Sequence, residues 1–324
     1  MPPEQTLGER RALIEGALQA AVGAEGPEAL YAPASYVMAG QGKRLRPLLV
    51  VLSAEMNGGS AQVALPAAVA VEVFHNFTLV HDDIMDHASS RRGRETVHVR
   101  WDEPTAILVG DLLSGIAYEH LAKLPTAAIP EAIRVFSAML RRLCEGQTLD
   151  MAFEVRPEVS LEDYLGMIEG KTGALLACAM ELGALAAGAS EDAREAARLT
   201  GHDIGRAFQI QDDLLDLTAS DPGWGKPLGG DLLAGKRTYL LLLALERAQG
   251  ADLELLKRVL AGELTESGVD DVRSVMDRLG VLNDTRDAVI FHSDAAIGRL
   301  QTAPESPARE LLVGLVRSMQ ARLH

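Results

Sequence analysis

The chain has 324 residues, 48% of them hydrophobic, and its 46 acidic side chains outnumber its 31 Lys and Arg to leave a net charge of −15. This acidity argues against nucleic acid as a partner, because a protein that binds a phosphate backbone needs a net basic face. The two cysteines, Cys144 and Cys178, stand apart, which excludes a disulfide framework and a thiolate metal site and favours a reducing cytoplasm. The N-terminus does not resemble a secretory signal.

The predicted fold is all α, because Ala, Leu, Glu and Arg dominate while aromatic residues make up only 4%. Apolar residues recur at spacings of three and four, which predicts helices in seven segments: 12–22, 66–80, 106–124, 129–143, 161–185, 193–217 and 239–248. The most apolar window, 172–190, carries Glu181 near its middle and is expected to be a buried helix rather than a membrane span. We expect one domain over residues 1–324, with a helical region after about residue 252 that breaks at Pro304 and Pro307.

One acidic element occurs twice, as Asp82-Asp83-Ile84-Met85-Asp86 and as Asp212-Asp213-Leu214-Leu215-Asp216. Residues four apart share a helix face, so each element presents a pair of carboxylates. A single acidic triplet is typical of a solvated helix end. Two identical triplets that continue apolar helices favour a Mg²⁺ site, since Mg²⁺ prefers carboxylates, water and substrate phosphates as ligands.

Small basic groups lie near both acidic elements and could bind the anionic partner of such a metal. Each one alone is typical of a surface cation. Together they indicate an anion held by metal on one side and by Arg and Lys on the other. The groups are Lys43 with Arg46, predicted to share one side of a helix start, Arg91 with Arg92, Lys171, Lys226 and Lys236.

An ordered series of motifs resembles the trans-isoprenyl diphosphate synthases, also called polyprenyl synthetases, over about residues 40–248. The motifs are Gly42-Lys43-Arg44-Leu45-Arg46-Pro47, Glu72-Val73-Phe74-His75-Asn76, the two acidic elements, Arg91-Arg92-Gly93, Gly170-Lys171-Thr172, Phe208-Gln209-Ile210-Gln211, Gly225-Lys226-Pro227 and Gly235-Lys236-Arg237-Thr238. The resemblance is greatest to geranylgeranyl diphosphate synthases. It implies a single helical bundle around a central cavity, usually a homodimer, that joins isopentenyl diphosphate to an allylic diphosphate by ionisation, condensation and elimination.

The resemblance also implies roles for individual residues. The implied ligands of three Mg²⁺ ions, for which Mn²⁺ can substitute, are Asp82, Asp86 and Asp212; Asp83, Asp213 and Asp216 line the same site or hold metal-bound water. The implied contacts to the allylic diphosphate are Arg91, Lys171, Thr172, Gln209, Lys226 and Lys236. The implied pocket for isopentenyl diphosphate consists of Lys43, Arg46, His75 and Arg92. A lone His on an apolar helix is usually a core residue, so His75 depends on its motif for this assignment.

Product length is expected to depend on Phe77 and Thr78, the residues five and four positions before Asp82. By the resemblance they form the floor of the tunnel in which the product grows, and an aromatic there predicts a C20 product, with C15 and C25 as alternatives. Plain core packing is the competing explanation for Phe77. A class I terpene cyclase, a squalene-type synthase, a non-catalytic regulatory subunit and a di-iron helical bundle are weaker alternatives. Both acidic elements are intact, and the Glu-x-x-His pairs of a di-iron site are not present in duplicate.

Overall fold

The computed structural model describes residues 3–23, 26–40, 42–219 and 228–321, with side chains from Leu7 onward. It confirms the all-α prediction. The helices in the described residues are α1 (Pro3–Gln19), α2 (Glu28–Met38), α3 (Leu45–Met56), α4 (Ala61–Met85), α5 (Val97–Arg100), α6 (Glu103–Leu121), α7 (Ile129–Val155), α8 (Leu161–Ile168), α9 (Ala174–Ala186), α10 (Glu191–Thr218), α11 (Gly230–Leu233), α12 (Tyr239–Arg247), α13 (Gly250–Leu260), α14 (Val269–Arg278), α15 (Val281–Thr302) and α16 (Pro307–Gln320).

The chain divides into two compact units, so the prediction of one domain stays a prediction. The first unit contains Met1–Ala138, Leu175–Arg198 and Ala303–Leu312, and the second contains Met139–Ala174, Leu199–Thr302 and Val313–His324. The first acidic element belongs to the first unit and the second acidic element to the second.

The first unit is built around α4, which packs against α1, α3 and α6. Ser60 begins the helix as its N-cap, since its hydroxyl accepts a hydrogen bond from the backbone N–H of Val63. An almost unbroken apolar run from Ala67 to Phe74 is buried. Among the described residues α4 is also the one helix long and apolar enough to cross a membrane, and 72% of its most apolar window is buried in the protein. It is therefore a core helix by burial.

A two-stranded hairpin follows α4, a feature that the sequence patterns do not predict. Its strands, β1 (Ser90–Arg91) and β2 (Arg94–Glu95), are antiparallel. The turn between them places Arg92 at φ 52° and Gly93 at φ 73°. Positive φ at both central residues is the requirement of the tight hairpin turn whose twist matches that of the strands. The hairpin therefore presents Arg91 and Arg92 side by side after the first acidic element.

The second unit places α12 against α8 and α15, and α14 against α15. Between α8 and α9 the backbone forms one turn of π-helix, Glu169–Gly173. Two acidic side chains lie in the first turn of α8, and Asp163 with Ser160 forms a capping box. The second acidic element lies in the last turns of α10.

All seven predicted helical segments overlap helices. Several ends agree within a few residues, but α1 begins at Pro3 rather than at residue 12, α7 continues to Val155 rather than ending at residue 143, and the segment 161–185 comprises α8, a π-helical turn and α9. The expected break at Pro304 falls between α15 and α16. The apolar window 172–190 contains α9 (Ala174–Ala186), which is a buried helix. One local expectation is wrong: α3 begins at Leu45, so Lys43 precedes the helix and does not share its first turn with Arg46. Arg44, the N-cap, has φ 49°, and this left-handed conformation turns the chain before the helix starts.

Candidate active site

The three carboxylates of the first acidic element have different surroundings. Asp82 is half-buried and Asp86, the C-cap of α4, is exposed. Asp83 is buried, and Arg91 donates a hydrogen bond from Nε to its Oδ1 at 2.6 Å. Burial raises the pKa of Asp83, and the Arg91 guanidinium opposes this shift. Asp82 and Asp86 therefore form the pair that faces outward, while Asp83 anchors the hairpin.

Four arginines lie near His75 of α4, close to the N-terminus of α3: Arg44, Arg46, Arg91 and Arg92. Arg44 is buried and donates to Glu72 Oε1 at 2.9 Å and to Glu15 Oε1 at 2.7 Å. Arg46 lies 3.3 Å from the Nε2 of His75. The side chain of Arg92 comes close to Gly42, where an added Cβ would lie 3.0 Å from its Nη1.

The electrostatics of this cluster favour a bound anion. Burial lowers the pKa of His75 well below its usual value, and the positive charges of Arg46, Arg92 and Arg91 lower it further. Burial also lowers the pKa of Arg46 and of Arg92, although the Glu72 carboxylate opposes both shifts; the charge of Arg92 adds to the first shift, and the charges of Arg44 and Arg91 add to the second. His75 is therefore neutral near pH 7, and the positive charge of the cluster comes from guanidinium groups. Lys43 lies exposed at its edge.

Aromatic side chains hold the hairpin against α2. The guanidinium carbon of Arg94 lies 3.8 Å from the centre of the Tyr36 ring, and the Tyr36 hydroxyl donates to the carbonyl of Glu95 at 2.9 Å. Behind the hairpin is a cavity of 440 Å³ whose wall includes Tyr36, Asp83 and Arg91. These contacts hold β2 against α2 and so fix the position of the hairpin that carries Arg91 and Arg92.

Phe77 belongs to an aromatic group one turn below the first acidic element. Its ring centre lies 4.9 Å from that of Phe74 and 4.8 Å from the imidazole of His81. His81 packs on α6 at Gly110, where any side chain would overlap the imidazole. Phe77 is half-buried, whereas Thr78 is buried and donates its hydroxyl to the carbonyl of His75 at 2.8 Å.

The second acidic element is likewise divided into outward and inward carboxylates. Asp212 is exposed, whereas Asp213 and Asp216 are buried. Asp213 accepts from the Tyr164 hydroxyl at 2.6 Å and from the backbone N–H of Tyr239 at 2.9 Å. Burial raises the pKa of Asp213 to about 6, although Lys236 and these two donors oppose the shift. Asp216 accepts from the backbone N–H of Asp231 at 3.0 Å.

The π-helical turn places Lys171 and Thr172 beside α7 and α10. Lys171 donates to Asp150 at 2.5 Å, and Thr172 donates to the side-chain oxygen of Gln209 at 2.9 Å. Glycine is required where α7 meets this turn, because a Cβ on Gly146 would overlap the backbone nitrogen of Lys171. Wider turns of this kind inside helices often occur at functional sites.

Lys236 lies among carboxylates in the second unit. Its ammonium group is 3.8 Å from Asp231, and its side chain is about half exposed. Burial lowers its pKa, but the carboxylates of Asp231, Asp213 and Asp150 outweigh this effect, and the pKa is raised. Lys236 is therefore a fully charged cation at the end of the segment that Asp213 and Asp216 hold. Lys226, the other predicted lysine of this segment, lies outside the described residues.

The structure thus brings the predicted residues together within each unit. In the first unit these are Lys43, Arg46, His75, Phe77, Thr78, Asp82, Asp83, Asp86, Arg91 and Arg92, and in the second Lys171, Thr172, Gln209, Asp212, Asp213, Asp216 and Lys236. Sequence reasoning missed Asp150, Tyr164 and the buried ion pairs of Arg44. Asp150 lies one helical turn after Gly146, and this spacing of a glycine and an aspartate on one helix face is a signal that sequence reasoning could have used. A lone Tyr164 offers no such signal.

The outward carboxylates have the chemistry of a magnesium site. Among residues of the described ranges, no three Asp, Glu, His or Cys side chains are grouped closely enough to hold a metal ion by themselves. Asp82 and Asp86 are hard oxygen donors on one helix face, and Asp212 is exposed at its own helix end. Such donors fit Mg²⁺, which keeps several waters and completes its shell with phosphate oxygens.

Comparison with known proteins identifies the class. The polyprenyl synthetase family model matches residues 27–279, and the chain belongs to this family. It is 38% identical over 318 residues to the geranylgeranyl diphosphate synthase of Methanosarcina mazei, covering 98% of this chain and 97% of that protein. A geranylfarnesyl diphosphate synthase of Natronomonas pharaonis is 37% identical over 328 residues, covering 95% of this chain and 94% of its own. The crystal structure of the geranylgeranyl pyrophosphate synthetase of Pyrococcus horikoshii has a TM-score of 0.91 at 34% identity and covers 97% of both chains.

Proposed function

We propose that the protein is a Mg²⁺-dependent trans-prenyltransferase that joins isopentenyl diphosphate to an allylic diphosphate and releases a linear prenyl diphosphate. The observation that carries this proposal is the arrangement of α4. His75 and Asp82 are seven residues apart, so they share one face at a separation of about 10 Å along the axis. One end of this face adjoins Arg46, and the other carries the outward carboxylates. A reaction of two diphosphates needs two anion sites, and the carboxylate end of this face would bind a diphosphate through Mg²⁺.

The cationic side chains are proposed to act on charge that develops during the reaction. When the allylic C–O bond ionises, the departing diphosphate gains negative charge, which fixed positive groups stabilise more in the transition state than in the ground state. Arg91, Lys171 and Lys236 would bind this group, with Thr172, Gln209 and Lys226 as further contacts. Three Mg²⁺ ions, or Mn²⁺ in their place, would supply additional positive charge when bound at Asp82, Asp86 and Asp212.

Isopentenyl diphosphate is proposed to bind at Lys43, Arg46, His75 and Arg92. The neutral imidazole of His75 can accept a hydrogen bond from Arg46 and so orient that guanidinium toward the diphosphate. After the double bond attacks the allylic cation, the positive charge lies on the isopentenyl unit, and an adjacent carbon loses a proton to form the new double bond. The departing diphosphate is the proposed acceptor, and the apolar surface of α4 excludes water from the cation.

The proposed main product is C20, geranylgeranyl diphosphate. The Phe77 ring, packed between Phe74 and His81, would stop the growing chain one helical turn below Asp82. The similarity to a geranylfarnesyl diphosphate synthase keeps C25 as an alternative, and C15 is the other.

We also propose a cytoplasmic homodimer. Four large apolar side chains are exposed along α5 and the start of α6, where a second copy would cover them: Val99 at 47%, Trp101 at 36%, Ile107 at 42% and Leu108 at 57% exposure. Sedimentation of the purified protein tests this, with Leu108→Glu expected to shift it toward the monomer.

The test of the activity is an incubation of the purified protein with Mg²⁺, isopentenyl diphosphate and, separately, dimethylallyl, geranyl or farnesyl diphosphate. The products are dephosphorylated, and the alcohols are sized by chromatography. A C20 alcohol that disappears with a chelator supports the proposal. No elongation from any starter would favour a non-catalytic subunit, and cyclic hydrocarbons would favour a cyclase.

A further inference from the structure

Tyr164 is a buried side chain that the motifs of the sequence analysis do not include. Its side chain is 2% exposed, and its hydroxyl donates to Asp213 Oδ2 at 2.6 Å. The same oxygen accepts from the backbone N–H of Tyr239 at 2.9 Å, and Oδ1 accepts from Gln209 at 3.2 Å. Tyr164 lies 49 residues from Asp213 in the chain. A tyrosine hydroxyl buried on a carboxylate is fixed in direction, since leaving either group unpaired would be costly.

Asp213 and Asp216 both hold the segment that leads to Lys236. Asp216 accepts from the N–H of Asp231, and its carbonyl accepts from Gly229 at 2.8 Å. Asp213 accepts from Tyr239, three residues after Lys236. The segment 229–239 is thus tied to α10 at both ends by buried carboxylates. In this arrangement the two inner aspartates act on backbone N–H groups, and Asp212 alone of the element faces outward.

The segment is also held beside Lys236 by Arg237, which donates to the carbonyls of Glu154 at 3.2 Å and of Arg156 at 2.8 Å. Its turn is closed by local backbone bonds, from the N–H of Lys236 to the carbonyl of Asp231 at 2.9 Å and from Thr238 to Lys236 at 3.0 Å. These bonds shape the turn but do not attach it to α10. The hydrogen bond between Asp213 and Tyr239 attaches the far end of the segment to α10, so it is one of the contacts that limit where the Lys236 ammonium can reach.

We propose that Tyr164 is a positioning residue for the allylic substrate: through Asp213 it holds the segment that places Lys236 on the allylic diphosphate. The inference deepens the proposed function and depends on it. Without the hydroxyl, Asp213 keeps one fewer donor and can turn away from Tyr239. Lys236 then spends less time where it can bind a diphosphate, although its charge is unchanged.

The experiment is a double-mutant cycle on the full chain with Tyr164→Phe, Lys236→Ala and both together. Steady-state rates are measured with Mg²⁺ while geranyl diphosphate and isopentenyl diphosphate are varied in turn. Tyr164→Phe is expected to lower kcat/KM for geranyl diphosphate about tenfold, the size of one lost hydrogen bond to a charged group. The KM for isopentenyl diphosphate should stay within about twofold. The double variant should lose no more than Lys236→Ala alone, because both changes remove the same contact.

Tyr118→Phe is the matched control, since it removes a tyrosine hydroxyl that contacts Ser137 at 3.3 Å within the first unit. Circular dichroism and thermal unfolding establish that each variant is folded. Losses that add in the double variant, or an equal rise in KM for both substrates, would overturn the inference.

A binding measurement separates this inference from the proposed function. Calorimetry with inorganic diphosphate and Mg²⁺ should show weaker binding to Tyr164→Phe than to the natural protein, whether or not elongation occurs. Unchanged diphosphate binding would contradict the role of Tyr164. Failure of the natural protein to elongate any starter would contradict only the proposed synthase activity.

Discussion

Replacing Phe77 by Ala is expected to lengthen the product by one isoprene unit, from C20 to C25. Phe77 lies five residues before Asp82, a rise of about 7.5 Å along α4, so its ring lies more than one helical turn below the level of the outward carboxylates. The ring has roughly the bulk of one isoprene unit. Because Phe74 and His81 hold it at 4.9 and 4.8 Å, neighbouring side chains cannot fill the space without leaving their own packing.

The stability cost of this change should be moderate. A fully buried Phe→Ala change costs about 3–5 kcal/mol, and half-buried Phe77 should cost about 2 kcal/mol, which leaves the protein folded. The assay uses farnesyl diphosphate with excess isopentenyl diphosphate and sizes the alcohols by chromatography. Phe291→Ala, at a side chain that is 69% exposed, is the control and should still yield C20. A folded Phe77→Ala variant that still makes C20 would show that Phe77 is only a core residue.

Three further predictions concern stability. Gly146→Ala should lower the melting temperature, because the new Cβ meets the backbone of Lys171. Gly298→Ala, with open space around it, is the control and should raise the free energy of unfolding by up to about 1 kcal/mol through its higher helix propensity. Equal effects of the two changes would contradict the close approach at Gly146. Arg44→Ala should cost about 3 kcal/mol in urea unfolding, since it strands a buried carboxylate, and a loss below about 1 kcal/mol would refute this. Burial lowers the pKa of His75, so the unfolded chain binds more protons than the folded one, and the free energy of unfolding should decrease as the pH drops through about 6.5. The free energy of unfolding of His75→Gln should decrease less over this pH range. Parallel pH profiles for the two proteins would count against the buried neutral ring.

The helices could be predicted because their information is local. Spacings of three and four place apolar residues on one face, and Pro and Gly mark the ends, as at Pro304. The hairpin was not predicted, since two-residue strands carry no periodicity and its turn depends on positive φ at Arg92. The π-helical turn at Lys171 was missed for a similar reason: its sequence continues a helical pattern, and the extra residue shows only where α7 packs against it.

The sequence by itself determined which side chains are candidates for the chemistry. The repeated acidic element, the paired arginines and the lysine motifs indicate these groups, because a charge in an apolar helix costs free energy unless it is paired, bound to metal or exposed to water. Only the tertiary structure decided how the six aspartates divide. Asp83, Asp213 and Asp216 turn inward to Arg91, Tyr164 and backbone N–H groups, while Asp82, Asp86 and Asp212 face outward. Apart from Gln209, one helical turn before Asp213, the partners of the inward carboxylates lie 8 to 49 residues away in the chain, so no local spacing reveals them. Folding brings each donor to its carboxylate, and these buried hydrogen bonds make Asp83, Asp213 and Asp216 anchors.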